Sequence, residues 1–168
     1  WQSDTEYVQA FLHPDATSPY FRNDNEALRS VITEIVTGLD SLVDRKLQPL
    51  LTEDPKLIRT APLWRSRRTV VMLGGNISSI RSLLFDAGLL RQLDMEDELT
   101  TDFDYVDHLL RKLQYTFAFA DADGQLSPEV DTVFASLSAV LDDIRHSVNY
   151  DVLTPLGMGV NFNADDGD

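Results

Sequence analysis

Apolar residues recur every three or four positions along most of this 168-residue chain. The first long stripe lies between Asn23 and Pro49 and predicts an amphipathic helix that ends near Pro49. Asn23, followed three positions later by Glu26, is typical of a helix N-cap. The stripe consists of Leu28, Val31, Ile32, Ile35, Val36, Leu39, Leu42, Val43 and Leu47.

Three further stripes have the same spacing and predict three more long helices. The predicted helices begin near Thr69, Leu99 and Ser127. The first ends at Gly88, the second stops at the turn 121–124, and the third ends before Pro155. The last of them opens with a serine cap, a proline at the first helical position and an acidic residue in the first turn, which is a typical helix start.

A short leading helix is predicted from about Asp4 to Leu12, and no alternating pattern of strand length occurs. Short links between successive helices favour antiparallel neighbours. The sequence therefore predicts an all-α fold in a single domain of residues 1–168. Its form is an up-and-down four-helix bundle with a short N-terminal helix and a non-helical C-terminal tail.

The composition excludes several classes of function. The chain has 28 acidic and 14 basic residues, a net charge of −14 and no cysteine. An acidic chain is unsuited to nucleic acid or anionic membranes, because contacts with phosphate need Lys and Arg. The lack of cysteine excludes disulfides and thiolate metal sites. No apolar run reaches the roughly 20 residues of a transmembrane helix.

Two Asp–His pairs are weak candidates for metal ligands. Asp104 with His108, and Asp142 with His146, are each four residues apart and so share one helix face. Helical bundles build metal sites from such residues when they project inward. At 100° per residue, however, both pairs lie opposite the apolar stripe of their helix. The pattern favours solvated outer faces over a metal site.

A cluster of arginines stands out in this acidic chain. It brackets Trp64 and Ser66 and consists of Arg59, Arg65, Arg67 and Arg68. Arginine suits two-pronged contacts with carboxylates and phosphates. One interpretation is internal pairing with the chain's own carboxylates, for example those of the tail. The other is a positive wall beside an anionic ligand or a carboxylate-rich metal site.

Four segments of the chain resemble imelysin-like proteins, and more narrowly their predicted periplasmic lipoprotein branch. In order they are L-V-D-R-K-L at 42–47, L-W-R-S-R-R-T at 63–69, N-I at 76–77 and the closing F-N-A-D-D-G-D at 162–168. The resemblance extends over most of the chain, and the order of the segments with the closing motif carries it.

The resemblance implies an exported, all-helical protein of two bundle-like halves, periplasmic or lipid-anchored through its N-terminus, with a link to iron uptake. Some members are classed as metallopeptidases. The family hallmark, G-x-H-x-x-E, does not occur in this sequence. The chain is therefore expected to be the C-terminal half, without catalytic residues of its own. Its expected partners are the N-terminal half and other iron-uptake components.

The positions that match the family are expected to line the join between the two halves. They are Trp64, Arg65, Ser66, Arg68, Phe162, Asn163, Asp166, Gly167 and Asp168. The resemblance implies iron ahead of zinc, since carboxylates are hard oxygen ligands suited to ferric iron. Two alternatives stay open: part of a metallopeptidase whose metal motif lies outside this chain, or a scaffold that binds an anionic ligand through Arg59–Arg68.

Overall fold

A computed structural model describes residues 5–52, 57–86, 90, 95–116 and 124–154, and these form an all-α bundle, which confirms the predicted fold class. The helices are α1 (Thr5–Leu12), α2 (Asp24–Asp40), α3 (Gln48–Thr52), α4 (Thr69–Phe85), α5 (Glu96–Thr116) and α6 (Pro128–Ser147). A π-helical segment, Ser41–Leu47, joins α2 to α3, and a second one, Val148–Val152, follows α6.

Two helix starts are capped by the residues that the sequence indicates. The Glu26 amide donates to Asn23 Oδ1 at 3.0 Å, and the Arg22 amide donates to Glu26 Oε2 at 2.8 Å. At the start of α6 the Val130 amide donates to Ser127 Oγ at 3.3 Å. Each cap satisfies amide groups that have no partner inside the helix, and so fixes where the helix begins.

Helices α2, α4, α5 and α6 form the bundle, and neighbouring helices run antiparallel where contacts define their direction. Gly74 of α4 lies beside Leu110 of α5, whereas Arg81, further along α4, binds Asp104, earlier in α5. A Cβ atom at Gly38 would lie only 3.2 Å from Ile80 Cδ1, so this glycine permits the close approach of α2 and α4.

One hydrophobic core is shared by all four helices and both π-helical segments. The apolar stripes face inward as predicted, with Leu28, Val31 and Val36 only partly buried at its edge. The side chains with no exposed surface are Ile32, Ile35, Leu39, Leu42, Leu47, Leu50, Leu73, Leu84, Leu99, Val106, Leu113, Phe134, Leu137, Leu141, Ile144, Val148 and Val152.

The expected helix end near Pro49 is wrong, because the helical path continues to Thr52. The amide of Gln48 donates to the Val43 carbonyl, five residues back, so the pitch changes where α3 begins. Pro49 then falls in the first turn of α3, where its missing N–H costs little. The predicted tail lies outside the described residues, as do Gly88, the expected end of α4, and residues 121–123 of the turn expected after α5.

Candidate functional site: an arginine-rich turn

The segment between α3 and α4 is anchored at both ends. Near its start, the Ile58 amide donates to the Gly124 carbonyl at 2.8 Å, next to an antiparallel bridge between Leu57 and Gln125. At its end, the buried Thr69 hydroxyl donates to the Pro62 carbonyl at 2.5 Å. The first bond ties the segment to Gly124, and the second ties Pro62 to the first residue of α4. Residues 59–69 are hereafter the arginine turn.

The backbone of the arginine turn is strained. Leu63 and Arg67 both have φ of 57°, in the left-handed region, and they flank the 3-10 turn Trp64–Ser66. Such a conformation costs roughly 1–2 kcal/mol for a residue with a side chain. Ser66 stabilises it, since its hydroxyl donates to the Leu63 carbonyl at 3.0 Å. Strained residues of this kind concentrate at functional sites.

The guanidinium groups of the turn point away from the core. Trp64 packs against the core, and the Arg65 guanidinium carbon lies 5.0 Å from the centre of the Trp64 ring. All four arginines of the cluster, Arg59, Arg65, Arg67 and Arg68, are exposed. Among the described residues, no carboxylate forms an ion pair with any of them. Within the described part of the chain, the charge of these arginines is not neutralised by an ion pair.

The start of α4 adds to this positive character. Arg68 occupies the N-cap without a side-chain hydrogen bond, and the first turn of α4 contains no acidic residue. The first amide groups of a helix lack internal partners and carry the positive end of its dipole. Three arginines at 65, 67 and 68 thus add their charge to a helix end that already favours anions.

The structure describes only part of the site that the sequence predicts. Trp64, Arg65, Ser66 and Arg68 lie together in it, whereas Phe162, Asn163, Asp166, Gly167 and Asp168 lie outside the described residues. The expected meeting of the two motifs stays a prediction.

The two Asp–His pairs lie on exposed helix faces, as the periodicity predicts. Asp104 binds Arg81 at 3.2 Å, and Asp142 binds Arg145, so both carboxylates are already engaged by arginine. The His108 ring stacks on Tyr105, and the His146 ring lies tilted against Tyr150. Within the described part of the chain, no three His, Asp or Glu residues are grouped so that they could hold a metal ion.

Sequence reasoning missed a second charged centre, the Arg145 cluster, in which Arg145 binds Asp40, Asp44 and Asp142. The distances from Arg145 Nη1 are 3.0 Å to Asp40 and 3.1 Å to Asp44, and Nη2 binds Asp142. Partial burial alone would lower the pKa of Arg145, but the hydrogen bond to Asp40 and the charges of Asp142 and Asp44 outweigh it and raise the pKa. The sequence carries only two local signals of this cluster, the four-residue spacing of Asp40 and Asp44 and the three-residue spacing of Asp142 and Arg145. It does not show that the two pairs meet, since they are about a hundred residues apart.

A third acidic group lies between α5 and α6. The pKa of Asp102 is raised, first by burial and then by the charges of Asp143 and Glu98. Glu98 and Asp102 are four residues apart on α5, a spacing at which like charges repel. The charges around Asp102 therefore repel its ionised carboxylate, whereas those around Arg145 attract its guanidinium group.

Comparisons of the chain with protein-family models, with curated proteins and with solved structures found no match. The imelysin-like resemblance therefore stays a prediction. Among the described helices, none combines the length and the apolar character needed to cross a membrane.

Proposed function

We propose that this chain is a helical binding module, one half of an imelysin-like protein, whose arginine turn binds a carboxylate-bearing surface at the join with the other half. One observation carries the proposal. The four arginines of the turn have no carboxylate partner among the described residues, although the chain contains 28 acidic residues. By contrast, Arg81 and Arg145 each bind at least two.

The geometry supports recognition of carboxylates in particular. Arg65 is oriented by its stacking on Trp64, which lowers the entropy lost when its planar group takes up a two-pronged contact. Arg68 and the free amides of α4 lie next to it in the chain and can donate to the same anion. Hydrogen bonds from Ser66 and Thr69 hold the turn in this conformation before binding, despite the left-handed backbone.

The proposal is tested with a fluorescently labelled oligo-glutamate peptide, titrated into the chain and followed by anisotropy at low and high salt. Arg65→Gln with Arg68→Gln should raise Kd about tenfold or more, because each charge-assisted hydrogen bond contributes roughly 1.5–3 kcal/mol. The matched control, Arg22→Gln with Arg29→Gln, removes two exposed arginines outside the turn and should change Kd less than about twofold. Equal losses in both variants would reject the turn as the site.

The chain's own tail is the competing occupant of the turn. Replacement of Asp165, Asp166 and Asp168 by Asn removes its closing carboxylates. If the tail fills the turn, this variant binds the peptide more tightly than the original chain, and an external partner is ruled out. Unchanged affinity supports the proposal.

A metal role at the same join is the second candidate, and the family motif within the turn favours it. Carboxylates from this chain would serve as hard ligands for ferric iron, completed by the other half. A periplasmic location, contact with iron-uptake components, and peptidase activity of the whole protein belong to the same proposal. Calorimetric titration of ferric and zinc ions should show tight binding only with both halves present. Tight binding of iron by this chain alone would contradict that division.

A further inference from the structure

An apolar groove lies between α1 and the α2–α4 pair, on residues that the proposed function does not use. It consists of two adjoining depressions of about 550 Å³ and 650 Å³. Phe11, Val31 and Leu83 line both of them, so they form one elongated feature, hereafter the α1 groove. Tyr7, Val8 and Leu12 continue its wall along α1.

The groove is present because α1 is only loosely packed on the bundle, with aromatic contacts to Phe21. Tyr7 and Phe11 place their rings edge-on to Phe21, at 5.5 Å and 5.6 Å between ring centres, and this anchors the helix. No residue of α1 is buried. Apolar surface on both walls of the groove therefore stays exposed, with exposed fractions of 58% at Leu12 of α1 and 45% at Leu83 of α4.

Both of the charged residues that line the groove in the described part of the chain are acidic. Glu34 lies on α2, and Asp86 caps the end of α4. No basic residue occurs in the last turn of α4, so the negative end of its dipole is not compensated there. The chain as a whole has a net charge of −14. An occupant that is apolar on one side and positively charged on the other fits both features.

We infer that the α1 groove binds a cationic amphipathic helix of a partner protein. Helices dock in grooves through apolar side chains spaced at i, i+3, i+4 and i+7. In this groove such side chains would pack against Phe11, Val31 and Leu83. Basic residues beside them would pair with Glu34 and Asp86. Both partners would gain burial of apolar surface, and the charges would set the orientation of the docked helix.

The test uses a labelled helical peptide with leucines at the four spaced positions and lysines on its opposite face. A scrambled peptide of the same composition controls for simple charge attraction. Leu83→Lys should raise Kd for the amphipathic peptide about tenfold, because it removes apolar surface and introduces a repelling charge. Val71→Lys is the matched control on the same helix, since Val71 is 59% exposed and does not line the groove.

A second variant tests the charges separately. Glu34→Lys with Asp86→Lys should weaken binding of the amphipathic peptide about threefold or more and remove most of its salt dependence. Because both residues are exposed, this variant should fold as the original chain does, which circular dichroism checks.

Three results would overturn the inference. Equal affinity for the amphipathic and scrambled peptides would show charge attraction without a groove. An equal loss in Val71→Lys would place the binding elsewhere. Self-association that Leu83→Lys abolishes and the peptide does not compete with, measured by sedimentation equilibrium, would show that a second copy of this chain occupies the groove.

Discussion

The arginine turn and the Arg145 cluster use the same side chain in opposite settings. Arg145 lies in the last turn of α6, where a helix favours cations, and binds three carboxylates with 24% of its side chain exposed. The turn places its arginines at the start of α4, where a helix disfavours cations, on a strained backbone and without described carboxylates.

This difference suggests that the Arg145 cluster serves the stability of the fold and that the arginine turn serves binding. In the Arg145 cluster, the hydrogen bonds and ion pairs outweigh the partial burial of Arg145 and stabilise the folded chain. In the arginine turn, the left-handed backbone and the placement of cations at a helix start destabilise it. A costly arrangement that is held in place by hydrogen bonds is the pattern expected of a binding site. Four predictions, ordered from the largest effect to the smallest, can break or sharpen this comparison.

Arg145→Met should lower the free energy of unfolding by about 2 kcal/mol, because it leaves Asp40, Asp44 and Asp142 facing one another without a cation. Arg68→Met, the matched change in the turn, should alter it by less than about 0.5 kcal/mol. Urea denaturation followed by circular dichroism measures both. Similar losses would remove the distinction between the two regions.

Thr69→Val should cost about 1–2 kcal/mol, because the Pro62 carbonyl loses its buried hydrogen bond. The same change should weaken binding of the oligo-glutamate peptide, since it frees the turn from α4. Thr132→Val is a close control, as the exposed Thr132 hydroxyl also donates to a proline carbonyl, that of Pro128. If Thr132→Val lowered the free energy of unfolding as much as Thr69→Val does, the Thr69 hydrogen bond would have no special role in anchoring the turn.

Arg67→Gly should raise the free energy of unfolding by about 1 kcal/mol, because glycine adopts a φ of 57° without strain. It should also weaken peptide binding, so that stability and affinity move in opposite directions. Arg65→Gly, at a position with no left-handed backbone, should weaken binding without any gain in stability. Thermal melts measure the stability of both variants, and anisotropy measures their peptide binding. A gain in stability at both positions would refute the role of backbone strain.

Asp102→Asn should stabilise the chain by about 0.5 kcal/mol at neutral pH, since it removes repulsion from Glu98 and Asp143. The raised pKa means that the folded state binds this proton more tightly than the unfolded chain does. Stability at this site therefore falls as pH rises from the ordinary pKa of 3.8 through the raised one. The gain should vanish in thermal melts below that range. Asp107→Asn, which removes a partner of Arg81, should show no gain at neutral pH.

The sequence predicts the bundle well because helical periodicity is a local property. Stripes such as that from Leu99 to Leu113 mark the buried face without knowledge of the partner helix. The Arg145 cluster joins Asp40 to Arg145, 105 residues apart, and no local pattern encodes such a pairing. The strain of the turn was equally hidden, since Leu63 and Arg67 are not residues that signal left-handed backbone.

The candidate site was only half predictable. Composition alone indicated the segment of Arg65 and Arg68, because a basic cluster is conspicuous in an acidic chain. The Thr69 hydroxyl bonds to a carbonyl only seven residues back, but it does so through an irregular backbone that no sequence pattern signals. The groove beside α1 was missed because an apolar stripe shows which residues can be buried, and not which ones a neighbour covers.

The π-helical segment Ser41–Leu47 bears on how the chain tolerates changes in length. Each residue removed from an ordinary helix turns everything beyond it by about 100°, which would carry Leu47 and Leu50 out of the core. A wide turn holds an additional residue per turn and can tighten to the ordinary pitch. Single-residue deletions within 41–47 should therefore destabilise the fold less than deletions within α2, which has the ordinary pitch throughout.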